Sequence, residues 1–158
     1  MANNQSMTTS FMGDLLNGVH NFGTAPVRAT GAADTFKGAL YLASATVNAS
    51  TTAYSATGEV SGAGYSAGGV TVTNATAPTA TNSSATAGVA YWTPSGSLVY
   101  TTVTLATAFD TVLIYNSTQS NKSVSVHTFG SQTITAGTFT LTMPSNTTTT
   151  ALLRLSTT

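Results

Sequence analysis

The sequence predicts an all-β protein: an antiparallel β-sandwich, jelly-roll-like, with a short N-terminal helix or arm. Three observations carry this expectation. Thr, Ala, Ser and Gly supply 34, 23, 18 and 14 of the 158 residues, and only 5% are charged, against about a quarter in an ordinary soluble domain. Beyond residue 33 the apolar side chains recur at every second position, the period of a half-buried strand. Eight to nine such short runs follow one another, separated by Gly, Pro, Asn and Ser, which is the spacing of a sandwich or barrel. The length suits one domain with a substantial core.

The first 22 residues differ from the rest. Phe11, Leu15, Leu16 and Val19 form an apolar stripe at helical period, with Ser10 placed as an N-cap. Gly13 and Gly18 weaken that helix and keep it short. Residues 23–33, rich in Gly, Ala, Pro and Thr, read as a linker. The division is therefore 1–33, arm and linker, and 34–158, the β-sandwich domain. Four apolar side chains cannot make a core alone, so the arm must bury them elsewhere. The expectation is an attachment arm that buries them on a sister chain or a partner surface, the alternative being a helix packed on its own domain.

Residues 35–46 place Phe36, Leu40 and Leu42 on one face and Tyr41 on the other. Residues 52–69 are a glycine-punctuated loop bearing Tyr54, Val60 and Tyr65, and Val70 and Val72 alternate with threonines as a strand. Residues 75–87, nearly all Ala, Thr, Asn and Ser, form an exposed connection. Runs at 88–92 and 98–105 flank the turn Pro94-Ser95-Gly96. The most apolar run, 108–116, is the expected central strand, and Asn121 with its preceding polar residues makes a hairpin turn into 123–129. Runs at 132–134, 138–143 and 151–155 complete the set. Thr suits the outward positions, because its branched side chain fits a pleated surface and its hydroxyl stays hydrated without charge. Edges so poor in Lys lack their usual protection and are safest when covered by partners.

Composition also excludes. A net charge of zero offers no footprint for nucleic acid or for an anionic membrane surface. No apolar run approaches the ~18 residues of a membrane helix. Without cysteine there is no disulfide, thiolate or Cys-bound zinc, and no secretory signal is visible at the N-terminus. Folding in a reducing cytoplasm fits, and the seven Asn-x-Ser/Thr sequons, including Asn116 and Asn121, read as unmodified.

Little chemistry is on offer. Asp14, Asp34, Glu59 and Asp110 stand alone in sequence, without the close carboxylate pair that glycoside hydrolysis needs. His127 lies on an alternating strand, where a structural or surface role is expected, and His20 reads as a solvated or capping residue. A triad of His127, Asp110 and a serine can be drawn, but no Gly-x-Ser-x-Gly motif supports it. The glycines from Gly58 to Gly69 lack the Gly-Lys-Ser/Thr ending of a phosphate loop and suit turns and tight packing better. No catalytic, cofactor or metal site is expected. Tyr41, Tyr54, Tyr65, Tyr91, Trp92, Tyr100 and Tyr115 are core or interface anchors, with a sugar-binding face as the weaker reading.

From Asp34-Thr35-Phe36-Lys37-Gly38-Ala39-Leu40-Tyr41 onward, the chain resembles a family of small tailed-bacteriophage virion structural proteins. The resemblance runs through 52–65, Leu113-Ile114-Tyr115-Asn116-Ser117, Asn121-Lys122 and Gly137-Thr138-Phe139-Thr140-Leu141 to the closing Leu152-Leu153-Arg154-Leu155. This sequence departs from the family in its Thr/Ala-rich insertion at 75–87 and its few acids. The resemblance implies a virion structural protein. To it we add the expectation of a non-enzymatic capsid cement or decoration protein on the head surface. Its expected partners are the major capsid protein and further copies of itself, as dimer or trimer. The interface candidates are Phe11, Leu15, Leu16, Val19, Tyr54, Tyr65 and Trp92. A tail- or fibre-associated module that binds a host-surface glycan is the alternative.

Overall fold

Two antiparallel sheets make up the computed structural model, which describes residues 3–16, 18–22, 33–73, 77–81 and 88–156. In chain order the elements are β1 (Ser6–Met7), α1 (Thr9–Leu16), β2 (Phe36–Leu42), β3 (Val70–Thr71), β4 (Thr79–Ala80), β5 (Val89–Trp92), β6 (Leu98–Asn116), β7 (Lys122–Leu141) and β8 (Leu153–Ser156). The larger sheet runs β1-β7-β6-β2-β3 and the smaller β4-β5-β8. The protein is all-β in class, with strand pairs antiparallel throughout.

The apolar run at 108–116 lies in β6, at the centre of the larger sheet between β7 and β2. Five consecutive residues there, Val112 to Asn116, are buried whichever way they point, because both faces of the sheet are covered. On one face Phe36, Leu40, Val112, Ile114 and Val124 meet Trp92 and Leu153 of the smaller sheet, together with Phe11 and Phe22. On the other, Ala39, Tyr41, Leu113, Tyr115 and Val126 pack under Ala45, Val47 and Tyr54 of the long loop after β2. Phe36, Leu40 and Leu42 thus share one face and Tyr41 takes the other, as their alternation requires.

The strand divisions expected from sequence need correcting. The runs at 98–105 and 108–116 are one 19-residue strand, and 123–129, 132–134 and 138–143 merge into the 20 residues of β7. Thr102 and Ala136 carry positive φ angles of 53° and 46°. The β6–β7 register shifts at several points between Tyr100 and Tyr115. These irregularities look like strand ends in sequence but are bulges within a continuous ladder, and bulges bend strands. A straight strand of that length would span ~63 Å, long against the ~15 Å radius of gyration of a chain this size.

Residues 88–92 and 98–105 do not pair across Pro94-Ser95-Gly96. The turn instead carries the chain from the smaller sheet to the larger. Asn121, by contrast, does close a hairpin, with Ser120 and Asn121 at φ 51° and 58°. Helix α1 starts one residue before Ser10. Ser10 is therefore not the N-cap, and its hydroxyl pairs with that of Ser123. Of the two placements open to the N-terminal segment, the structure shows packing on its own β body, with Phe11 and Phe22 in the main core. The linker expected at 23–33 lies outside the described residues except for Ala33, and most of 75–87 lies outside them too.

Candidate functional site

The long loop after β2 is held down by a carboxylate. Glu59 accepts hydrogen bonds from the Tyr54 hydroxyl at 2.6 Å, the Tyr65 hydroxyl at 2.7 Å and the Gly68 amide at 2.7 Å. The Tyr65 oxygen in turn accepts the Leu40 amide of β2. The Tyr115 hydroxyl donates to the Gly68 carbonyl, and Tyr100 to that of Gly38. Burial first, then the bond to Glu59, push the Tyr65 phenol far up. The Tyr41 phenol is raised to about 12, chiefly by burial. None of these tyrosines is a phenolate at neutral pH. They work as fixed donors.

Two glycines show why this loop needs them. A Cβ on Gly62 would run into the carbonyl oxygen of Thr104, and one on Gly69 into that of Gly38. Gly69 also sits at φ +72°, a conformation costly for any other residue. The backbone bond from the Thr104 amide to the Ala63 carbonyl, 2.8 Å, covers a stretch of β6 that β2 does not reach.

A second polar cluster ties the N-terminal segment to the β6–β7 turn. Lys122 donates to both carboxylate oxygens of Asp14, at 2.8 and 3.1 Å. Asp34 accepts from the Asn116 side-chain amide at 2.7 Å, the Asn21 backbone amide at 2.9 Å and Gln119 at 3.2 Å. Asn116 also donates to His20 Nδ1 at 3.0 Å. The His20 side chain is wholly buried among the rings of Phe11, Phe22 and Phe36, so the expectation of a solvated or capping histidine is wrong. Burial lowers its pKa, outweighing the pull of Asp14 and Asp34 in the other direction. No local motif announces this cluster, because its partners lie some 80 to 110 residues apart in sequence.

His127 is also held down, to about 4, by burial. Its Nε2 pairs with the Ser125 hydroxyl at 2.8 Å. Asp110, the acid a triad would need, is bonded instead to Asn3 and Thr111. Among the described residues no group of His, Asp and Glu is placed to hold a metal, and no helix is long and apolar enough to cross a membrane.

The interface candidates separate. Phe11 and Trp92 are buried in the core, while Tyr54 and Tyr65 are turned inward onto Glu59. Leu15 and Val19 are half-buried, and the side chain of Leu16 lies outside the described residues. Phe11, Leu15 and Trp92 nonetheless meet at one apolar hollow of about 130 Å3, which Tyr91 and Leu155 complete. Leu155 is 46% exposed, one of two large apolar side chains left open among the described residues. A wider cleft of about 490 Å3 lies between β1, the end of β7 and β8, with Met7, His127, Leu141 and Arg154 among its walls. Sequence reading missed this cleft, because strands far apart in the chain form it. No known protein family, curated protein or solved structure matches the chain.

Proposed function

We propose that this chain is a non-enzymatic structural protein of a tailed-bacteriophage virion, acting as capsid cement on the head surface. The observation that carries the reading is the use of its charge. All four acidic residues accept hydrogen bonds inside the chain. The outer face of β7 is lined with uncharged threonines such as Thr133, Thr135, Thr138 and Thr140. The sequence resemblance over residues 34–155 points the same way. The partners are the major capsid protein and further copies of the chain, as dimer or trimer, and neither nucleic acid nor membrane is involved. We place docking at the apolar hollow where Leu155 and the half-buried Leu15 lie over the buried Phe11 and Trp92, because apolar side chains left open together are what an interface buries. The jelly-roll reading belongs here as well: two facing antiparallel sheets, with the chain crossing between them at Pro94-Ser95-Gly96, suit that architecture.

Copy number tests the role. Staining a gel of purified particles should show this chain in hundreds of copies. A few to dozens would favour the tail-associated glycan binder, a reading that the inward-facing tyrosines do not encourage. Docking is tested separately by adding the Leu155→Asp variant to particles that lack the protein. The variant should fold, yet decorate far less than the natural chain. Equal decoration would remove the hollow from the proposal.

A further inference from the structure

The N-terminal segment is fastened to the β body at a point where a neutral histidine is built into the structure. Asn116 cannot turn its amide around. Its Oδ1 already accepts the Thr118 and Gln119 backbone amides at 3.1 and 3.2 Å, and its Nδ2 donates to Asp34. The same Nδ2 faces His20 Nδ1 at 3.0 Å. The ring nitrogen must therefore accept, which places the imidazole proton on Nε2. That atom is buried and has no hydrogen-bond partner among the described residues. Asp14 Oδ2 is 3.8 Å away and engaged by Lys122.

A second proton on His20 would sit on Nδ1, pointing at the Asn116 NH2 group, donor against donor. The charged groups facing the ring are Asp14 from α1, Asp34 ahead of β2 and Lys122 at the start of β7. The two acids favour the proton and the lysine opposes it. Both acids are already engaged, Asp14 by the Lys122 ammonium and Asp34 by three amide donors. The rings of Phe11, Phe22 and Phe36 lie around the imidazole at centroid distances of 5.0, 5.9 and 6.3 Å, and its side chain is wholly buried.

We infer that the His20–Asn116 contact is an acid-sensitive latch: protonating His20 releases the N-terminal segment, residues 3–22, while the β body stays folded. The direction agrees with the lowered basicity of the buried ring. Such a group stabilises the closed state fully above its ordinary pKa of 6.5, and the stabilisation is lost as pH falls towards the lower value. This inference does not depend on a place in a virion. It concerns how one part of the chain is held to another.

Hydrogen exchange on the full-length protein tests it. Peptides covering residues 3–22 are compared with peptides from 109–116 between pH 7.5 and pH 5, after correction for intrinsic exchange. That range lies above the region near ~4 where carboxylates ordinarily titrate. A released histidine with its ordinary value allows the opening equilibrium to rise by up to about 30-fold over this interval, and a rise of at least several-fold is expected in the N-terminal peptides beyond any change in those from 109–116. His20→Asn, whose Oδ1 can accept the Asn116 hydrogen bond without titrating, should abolish the rise. His127→Asn, removing the other histidine, should leave it. Unchanged or slower opening in acid overturns the latch, as does a rise that persists in His20→Asn. If His20→Asn does not fold, ring NMR of the natural protein decides. A neutral Nε2–H tautomer titrating below 6.5 is expected, and titration above 6.5 overturns the inference.

Discussion

The two ends of the β6–β7 hairpin obey different rules. Near the turn, Val112 to Asn116 and Ser123 to Val126 are buried on both faces, and the neighbouring edges carry β1 and β2. At the far end, Leu98, Tyr100, Val103 and Leu105 are buried while Val99, Thr101 and Thr102 are exposed. There β7 shows solvent-facing threonines between half-buried Ile134, Phe139 and Leu141. Among the described residues no strand pairs with the outer side of β7 beyond Val126. One ladder is therefore a two-sided core at one end and an ordinary one-sided sheet at the other. Strand identity alone does not fix burial; what covers each face does.

The largest expected effect comes from deleting side chains at the two ends. Leu113→Ala, in the second core near the turn, should cost towards the top of the ~2–5 kcal/mol usual for a buried Leu. Leu141→Ala, half-buried at the far end, should cost about 1 kcal/mol. Denaturant unfolding of both variants checks this, and equal losses would break the comparison.

Next comes the cover itself. Glu59→Ala leaves the Tyr54 and Tyr65 hydroxyls and the Gly68 amide without their acceptor. A loss of about 3 kcal/mol is expected from these unmet donors, with faster exchange in residues 52–69 and little change at 131–141. A uniform change along the hairpin would show that the loop does not protect the near end selectively.

His127 stands where the two regimes meet, opposite Val112. Its folded pKa, lowered to about 4 from 6.5, means that its stabilising contribution is complete above pH 6.5 and fades as pH falls towards 4. Compared with His127→Asn, the natural chain should lose about 2 kcal/mol more between pH 7.5 and pH 5. Parallel pH curves for the two proteins would remove His127 from the account.

The smallest effect is expected on the outer face of the far end. Thr133→Ala, exposed and uncharged, should shift stability by less than ~0.5 kcal/mol. A larger loss in dilute solution would mean that this face is covered by another copy.

The alternation of Phe36, Leu40 and Leu42 against Tyr41, the central run at 108–116 and the turn at Asn121 were legible because each depends on a short window of sequence. The scarcity of Asp, Glu, Lys and Arg along the chain was equally plain. The continuity of β6 and β7 was not, since the positive φ at Thr102 and Ala136 and the register shifts between the two strands have no signature in a short window of sequence. Phe11 and Trp92 read as interface anchors, and their apolar character was right. Their actual partners, Phe22 and Phe36, are set by how two sheets and an N-terminal segment meet.

By itself, then, the sequence determined the all-β class, the period of each strand and the scarcity of groups able to do chemistry. These follow from composition and nearest neighbours. Tertiary structure decided which apolar face would be covered twice. It also decided that Glu59 would gather tyrosines, and that His20 would be sealed between Asn116 and three phenylalanine rings. Each of those outcomes depends on residues far apart in the chain. Low dielectric and fixed donor geometry give such contacts their strength, and both exist only once the chain has closed around them.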